Sequence, residues 1–515
     1  MYSTITSGAL MGVHAYLVSV EVDIASGLPG FSMVGSLSGE VRESRERVQV
    51  ALKNAGLSIP PTHITINLSP ADRRKEGTAF DLPIAVGVLQ AMGYFSGEAT
   101  RDILFLGELG LNGEVRKAKG VLPIVREAAR NGIRQCIVPK ENALEGAVIP
   151  GIIVRGVGEI GELMHFLQET PQRQEELLPR VRVDAEKLFG DKREEGQYDF
   201  ADVSGQEAAK RAAEIAAAGF HNLLMTGPPG AGKSMIAKRI PGIMPSLTLE
   251  ESLEVTSVYS VAGLLGQDKA LVTERPFQSP HHTISLSALT GGNSVPKPGI
   301  ISLSHRGVLF LDELPEFQRH LLDSMRQPLE EKQVHIARAN GNVTYPADFM
   351  LVCAMNPCPC GYYPNLNKCR CTQTQVQRYM GKVSGPILDR IDLCVELQPV
   401  GITQLHSGKG AESSAVIRER VMQARKRQEL RFRGTDRRFN GDMDATDMER
   451  YCRLGQEEKR YMEKLFTSLQ LSARGYHRVL KVARTIADLA GEQEIGVEHL
   501  LEAACLRPTQ ELWGV

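Results

Sequence analysis

The chain has 515 residues, 42% of them hydrophobic and 23% charged, and 60 Lys and Arg face 61 Asp and Glu for a formal net charge of -1. At about 150 residues per domain that length suits roughly three domains, each burying its own core, and the composition is that of a globular protein, not a disordered or disulfide-stapled one. No run reaches the ~18 consecutive apolar residues of a membrane span, the start MYSTITSGALMG lacks a basic segment ahead of an apolar core, and the neutral total excludes a uniformly basic nucleic-acid binder. A cytoplasmic chain with no membrane partner is expected, and any nucleic-acid contact must be local.

From residue 18 to about 167, β-branched runs such as 64–68 (ITINL), 103–105 and 135–138 alternate with amphipathic stretches at 41–55 and 120–131, which predicts one α/β domain. Residues 171–199 are charged, Gln-rich and poor in apolar periodicity, as suits a linker or an exposed helical connector. A helix is then expected over 207–218, followed by a strand at 222–226 (NLLMT) that runs into a Gly/Pro-rich turn and another helix. Residues 404–413 turn to Gly, Ser and charge, and from 415 onward the period is helical, with breaks near Gly434 and Gly475. The expected units are 1–170, a linker at 171–199, 200–403 and 404–515.

The turn after the strand at 222–226 reads Gly227-Pro228-Pro229-Gly230-Ala231-Gly232-Lys233-Ser234, a full G-x-x-x-x-G-K-[ST] match. Its glycines let backbone N–H groups approach phosphates, Lys233 reaches the β and γ oxygens of ATP, and Ser234 offers a hydroxyl to Mg²⁺. The apolar strand Gly307-Val-Leu-Phe-Leu ends in Asp312 and Glu313, the first placed to support the Mg²⁺ shell and the second to polarise the attacking water. A further buried run, 349–354, delivers Asn356 to the same edge of the sheet, where an amide can orient water beside the γ-phosphate.

Nine cysteines are present, and Cys358, Cys360, Cys369 and Cys371 fall within fourteen positions as C-x-C-x₈-C-x-C. Two close ligand pairs of this kind can close tetrahedrally on a structural Zn²⁺, with an iron–sulfur cluster or free thiols as alternatives. His281 and His282, read as neighbours on a strand, would point to opposite faces and form no second metal site. Residues 334–345 read as a hairpin with Asn340-Gly341 at its turn. Between 418 and 438, the nine cations Arg418, Arg420, Arg425, Lys426, Arg427, Arg431, Arg433, Arg437 and Arg438 meet three carboxylates, Glu419, Glu429 and Asp436, which suits either a phosphate backbone or a solvated helical face.

The spacing of these elements, with Asp202 to Gln206 (DVSGQ) upstream, resembles the AAA+ ATPases, and within them the magnesium-chelatase-like branch of YifB and ComM. FQSPHHT from Phe277, VLFLDELPEF from Val308, NPCPCG from Asn356 and LDRIDL from Leu388 carry that resemblance. It implies an AAA+ core with a parallel sheet, a helical C-terminal lid, and a ring, hexameric in kind, whose ATP sites lie between subunits. Arg390 is then the finger offered to a neighbour, and Arg474 the second sensor, with Arg478 competing for that role. Residues 283–303 correspond to a loop facing a central pore, so Lys297 there and Arg338 on the hairpin become candidates to touch DNA, a solvated loop being the alternative. Residues 1 to about 167 resemble the proteolytic domain of Lon, through 64–68, RKEG from Arg74, DLP from Asp81 and GELGLNG from Gly107. The nucleophile and lysine positions of that family fall on Ala79 and Leu122, which implies a Lon-like fold without protease chemistry, Thr78 and Lys119 being the nearest substitutes. In the ComM-like part of the family the motor moves branched or single-stranded DNA in branch migration during uptake of foreign DNA. A chelatase motor subunit, or a protease or unfoldase partner, is the alternative reading.

Overall fold

The structure is a computed structural model and describes residues 1–57, 59–190, 198–292, 296–338, 341–399, 401 and 412–507. Among these, seven strands form an N-terminal sheet: β1 (Tyr2–Met11), β2 (His14–Ala25), β3 (Gly30–Val34), β4 (His63–Ser69), β5 (Ile103–Phe105), β6 (Gln135–Pro139) and β7 (Ile153–Val157). They lie in the order β3-β4-β2-β1-β5-β6-β7, antiparallel where β2 meets β1 and β4 and parallel elsewhere. The two-residue alternation in β2 sends Tyr16, Val18, Val20 and Val22 inward. Helix Asp81–Ala91 covers that side of the sheet, and helix Val121–Arg130 packs on the opposite side against Leu10, Ala15 and Leu17.

The Lon-like positions are plain here. Leu122 is fully buried and its N–H donates to Glu145 Oε1 at 2.9 Å. The Thr78 hydroxyl donates to Glu108, while the Lys119 side chain lies along Gly263, so neither serves the other. Residues 171–177 form a short helix whose Glu175 pairs with Arg155 at 2.8 Å, and Leu178 behind it is buried; residues 191–197 lie outside the described set.

The second sheet is parallel: β8 (Leu223–Thr226), β9 (Phe277–Gln278), β10 (Val308–Leu311), then β13 (Met350–Met355) and β14 (Leu393–Glu396), after a separate hairpin of β11 (Gln333–Arg338) and β12 (Gly341–Pro346). The described strands run β9-β10-β13-β8-β14. Alternate residues enter two different cores: Leu223, Met225, Phe310 and Val352 face helices Glu207–Gly219 and Lys233–Ile243, whereas Leu224, Leu309, Leu351 and Cys353 face the other layer. Such continuous apolar runs are what a sheet covered on both faces demands.

Helices Ser414–Arg431, Ala445–Tyr451, Gln456–Ser468, Ala473–Ala490 and Val497–Cys505 close over the first of those cores. The expected break near Gly475 falls earlier, at residues 469–472. Gly475 instead lies in the first turn of its helix, with its N–H on the capping hydroxyl of Ser472 at 3.1 Å. Of the composition change at 404–413, residues 404–411 lie outside the described set. No helix among the described residues is long and apolar enough to cross a membrane.

Helix Leu249–Ala262 touches all three parts. Its Ser260 carbonyl accepts from Gly120 N–H at 3.1 Å and its hydroxyl donates to Glu145 of the N-terminal unit. Glu251 holds Arg438 of the C-terminal unit at 3.2 Å, and Glu254 holds Arg306 at 2.9 Å and His305 at 3.2 Å. Nearby, the turn joining β1 and β2 presses Gly12 onto Val343 and Thr344 of β12.

Candidate active site at the carboxyl edge of the parallel sheet

β8 ends at Thr226 and the chain turns through residues 227–232 into helix Lys233–Ile243. Gly227 passes so close to β14 that a Cβ on it would stand 2.6 Å from the Leu397 carbonyl oxygen, so no larger residue fits. The Gln206 amide donates to the carbonyls of Ala231 (3.0 Å) and Gln398 (2.6 Å), tying the loop to the far side of the sheet. The buried Lys233 ammonium donates to Gly227 O (2.6 Å), Pro228 O (3.0 Å) and Asn356 Oδ1 (3.0 Å). Burial pushes its pKa below the ordinary lysine value, against the opposing pull of Asp312 and Glu313.

Neighbouring strands bring the rest. The Ser234 hydroxyl donates to Asp312 Oδ2 at 2.6 Å, so a hydroxyl and a carboxylate stand together as the hard oxygen donors that Mg²⁺ takes. Asp312 also accepts from the Glu313 N–H at 2.9 Å. Glu313 sits in left-handed backbone (φ 52°), a conformation that costs a non-glycine residue about 1 kcal/mol or more. Its carboxylate is 59% exposed and lies 3.7 Å from His282 Nδ1.

The histidines correct an expectation. His281 and His282 lie in a turn beyond β9, not on a strand, and their rings come together with centroids 4.0 Å apart. Without strand pleating, nothing sends adjacent side chains to opposite faces, and His282 joins the edge of the site.

Arg390, Arg474 and Arg478 occupy the other end of the sheet. Arg390 precedes β14, and its carbonyl accepts from the Asn222 amide at 2.7 Å, just before β8 begins. The length of β8 therefore separates it from the phosphate loop of its own chain, about 13 Å at ~3.3 Å per residue. Its guanidinium meets Glu330 and donates to Pro386 O at 3.1 Å. Asp389 gathers the other two, Arg474 at 3.7 Å and Arg478 at 3.8 Å. Burial, with the charges of Arg474, Arg326 and Arg478, holds the Arg390 guanidinium below its ordinary value. Arg326 belongs to no recognisable motif and emerges only from the fold. Arg474 is 69% exposed, whereas Arg478 also donates to the carbonyls of Leu388 and Ile391 at 3.2 and 2.8 Å.

The four cysteines come together after Asn356. Sγ of Cys358 lies 3.3 Å from Cys360 and 3.8 Å from Cys369, Cys360 lies 3.6 Å from Cys369, and all four sulfurs fall within 4.8 Å of one another. Tetrahedral Zn–S bonds of ~2.3 Å put sulfurs about 3.8 Å apart, so the set fits that ion. Backbone N–H groups of Tyr362 and Arg370 hold the Cys360 thiol at about 6. At Gly361 (φ +83°), a Cβ would stand 2.4 Å from Pro229 Cδ, so this knuckle rests on the phosphate loop.

Most of the basic stretch at 418–438 is engaged internally and is not free for a phosphate backbone. Arg420 pairs with Glu214 and Glu412, Arg431 with Asp488, Arg437 with Asp444 and Asp447, Arg438 with Glu251, and Arg425 lies 3.9 Å over the Phe439 ring. Of the pore candidates, Lys297 is exposed on a short strand, and Arg338 ends β11; Asn340 at the hairpin turn lies outside the described residues.

Three family models match along the chain: "Subunit ChlI of Mg-chelatase" over 20–142, "Magnesium chelatase, subunit ChlI" over 199–405 and "Magnesium chelatase, subunit ChlI C-terminal" over 411–507. Competence protein ComM of Haemophilus influenzae is 42% identical over 502 residues, 96% of each chain. The chain belongs to the magnesium-chelatase-like AAA+ ATPases of the ComM and YifB kind. YifB of Escherichia coli is 42% identical over 512 residues, 99% of this chain and 98% of the relative. More distantly, the magnesium-chelatase 38 kDa subunit of Cereibacter sphaeroides is 24% identical over 176 residues, 31% of this chain and 53% of that protein.

Proposed function

We propose that this family member is a Mg²⁺-dependent ATPase that assembles as a homo-hexameric ring in the cytoplasm and couples hydrolysis to the movement of branched or single-stranded DNA, as in branch migration during transformation and recombination. Residues 227–234 grip the triphosphate, Ser234 and Asp312 hold Mg²⁺, and Asn356 and Glu313 set and polarise the attacking water. Arg390 completes the site from the next subunit as its arginine finger, and Arg474 is the second sensor. One observation carries this reading: Lys233, Ser234, Asp312 and Asn356 converge at one edge of the sheet while the arginines gather at the other, so a complete site needs two copies of the chain. An arginine supplied in this way is worth about 10³ to 10⁵ in rate.

In the same proposal, residues 1–170 form a Lon-like unit without a dyad that serves assembly or partner binding, joined by 171–199 to the ATPase at 200–403, with the lid at 404–515. Lys297 and Arg338 face DNA in the pore, and Zn²⁺ bound by Cys358, Cys360, Cys369 and Cys371 stiffens the loop after Asn356. The DNA assignment draws on the name of the competence protein that matches nearly the whole chain.

The test is an ATPase and strand-displacement assay of the wild type beside Glu313→Gln, with and without forked DNA. Forked DNA should stimulate turnover and be unwound, and Glu313→Gln should bind nucleotide while hydrolysing it orders of magnitude more slowly. Stimulation by a porphyrin with chelatase partner subunits, or by unfolded protein, in place of DNA would overturn the DNA reading. Full turnover by Glu313→Gln would overturn the assignment of Glu313.

A further inference from the structure

The segment from Asn356 to Leu388 contains no Asp or Glu in a chain whose charges otherwise balance, yet it carries Lys368, Arg370, Arg378 and Lys382. Lys382 is paired with Glu316 at 3.2 Å. Lys368, Arg370 and Arg378 are exposed and, among the described residues, their side chains have no ion pair or hydrogen bond. Two of these three flank Cys369 on the knuckle, which also displays Tyr362 (42% exposed) and Leu366 (82% exposed). An isolated surface leucine needs no explanation, but an aromatic ring and an apolar side chain beside unpaired cations, on a short loop whose sulfurs converge, make the combination that binds single strands: cations for phosphates and a ring for a base. The elements that hold the knuckle point inward to the ATP site: Cys358 is buried two residues beyond Asn356, and Gly361 sits against Pro229.

We propose that the knuckle of residues 358–371 is a contact for single-stranded nucleic acid, with Lys368 and Arg370 on its phosphates and Tyr362 against a base, and that occupancy is felt at the phosphate loop through Gly361 and Pro229. The proposal rests on the DNA-motor reading and adds a second contact outside the pore candidates Lys297 and Arg338. Its chemistry is backbone recognition, so it discriminates poorly between sequences and is sensitive to salt.

The experiment measures binding of a labelled oligothymidylate of about 30 nucleotides, long enough to span several contacts, to the full-length protein by fluorescence anisotropy across a range of KCl. Lys368→Ala/Arg370→Ala should weaken binding by about tenfold at moderate salt and make the slope of log K against log salt shallower by about 1.4, at ~0.7 per phosphate neutralised. Tyr362→Ala should weaken binding by roughly tenfold with the slope unchanged, since stacking releases no counterions. Lys368→Arg/Arg370→Lys, which keeps both charges, should restore the slope. Binding of a fluorescent ATP analogue and sedimentation of the ring report fold and assembly. If the wild type binds no DNA, the DNA-motor reading falls and takes this proposal with it. If the wild type binds and the alanine pair binds with the same affinity and slope, the knuckle proposal alone is overturned. A double variant that loses ring assembly shows the cations to face a neighbouring protein surface, which also overturns it.

Discussion

Gly361→Ala tests whether the cysteine knuckle positions the phosphate loop. At φ +83°, an alanine pays about 1–2 kcal/mol for left-handed backbone alone. Its Cβ would also stand 2.4 Å from Cδ and 2.8 Å from Cγ of Pro229, whereas ordinary contact begins near 3.4 Å, so the proline or the knuckle must retreat by about 1 Å. A 1 Å displacement of a positioning element can cost about 10² in rate, close to 2.7 kcal/mol of barrier. Gly434→Ala is the matched control, because Gly434 has φ +82° and nothing within 4 Å of its virtual Cβ. Both variants should lose about 1–2 kcal/mol of stability in thermal melts. Only Gly361→Ala should lose about 100-fold in kcat/KM in a coupled ATPase assay. Turnover by Gly361→Ala equal to that of Gly434→Ala would refute the mechanical link.

Arg390→Ala and Lys233→Ala should each abolish ATP turnover, and mixing the two should recover part of it. Junctions that pair the intact loop of one variant with the intact arginine of the other are complete, and a mixture as inactive as its parents in steady-state assays would mean that Arg390 does not act across subunits. Gln206→Ala frees the carbonyls of Ala231 and Gln398, at about 1 kcal/mol per lost hydrogen bond. It should raise KM for ATP roughly tenfold with little change in kcat; an unchanged KM would show the loop to be rigid without it. Burial opposes the charge of Glu254, but His305 and Arg306 outweigh it and hold the carboxyl at about 2 against an ordinary 4.5. Because the folded value is depressed, the stabilisation is complete above pH 4.5 and fades as pH falls toward 2. The melting-temperature gap between wild type and Glu254→Gln should narrow over that window, and a gap independent of pH would contradict the pairing.

The candidate-site residues legible in the sequence are those whose chemistry is local in the chain. A loop of amides, a lysine and a hydroxyl must occur together in residues 227–234, and an apolar strand ending in Asp312 and Glu313 announces its own edge. Asn356 needed only a second buried strand. What stayed hidden depends on residues far apart in the chain. Arg420 looks free until the fold brings in Glu214, 206 positions away, and Arg438 until Glu251 arrives from 187 positions away. The sequence does not show that Gly361 touches Pro229, or that Arg326 joins Arg390, since neither pair shares a motif. Strand periodicity does not extend to His281 and His282, because the strand stops at Gln278.

The contact of Gly12 with Val343 and Thr344 bears on how the hairpin of β11 and β12 can travel. Val13 and Leu10 pack into the same core as Ile336 and Tyr345, so the hairpin's base is leashed to the first two strands of the chain. Any excursion it makes during a cycle of turnover has to carry the N-terminal sheet with it or peel away from an apolar seam. Cutting away the first two strands would bare that seam and unleash the hairpin at once, so a trimmed protein would be both stickier and freer at the hairpin than the whole chain.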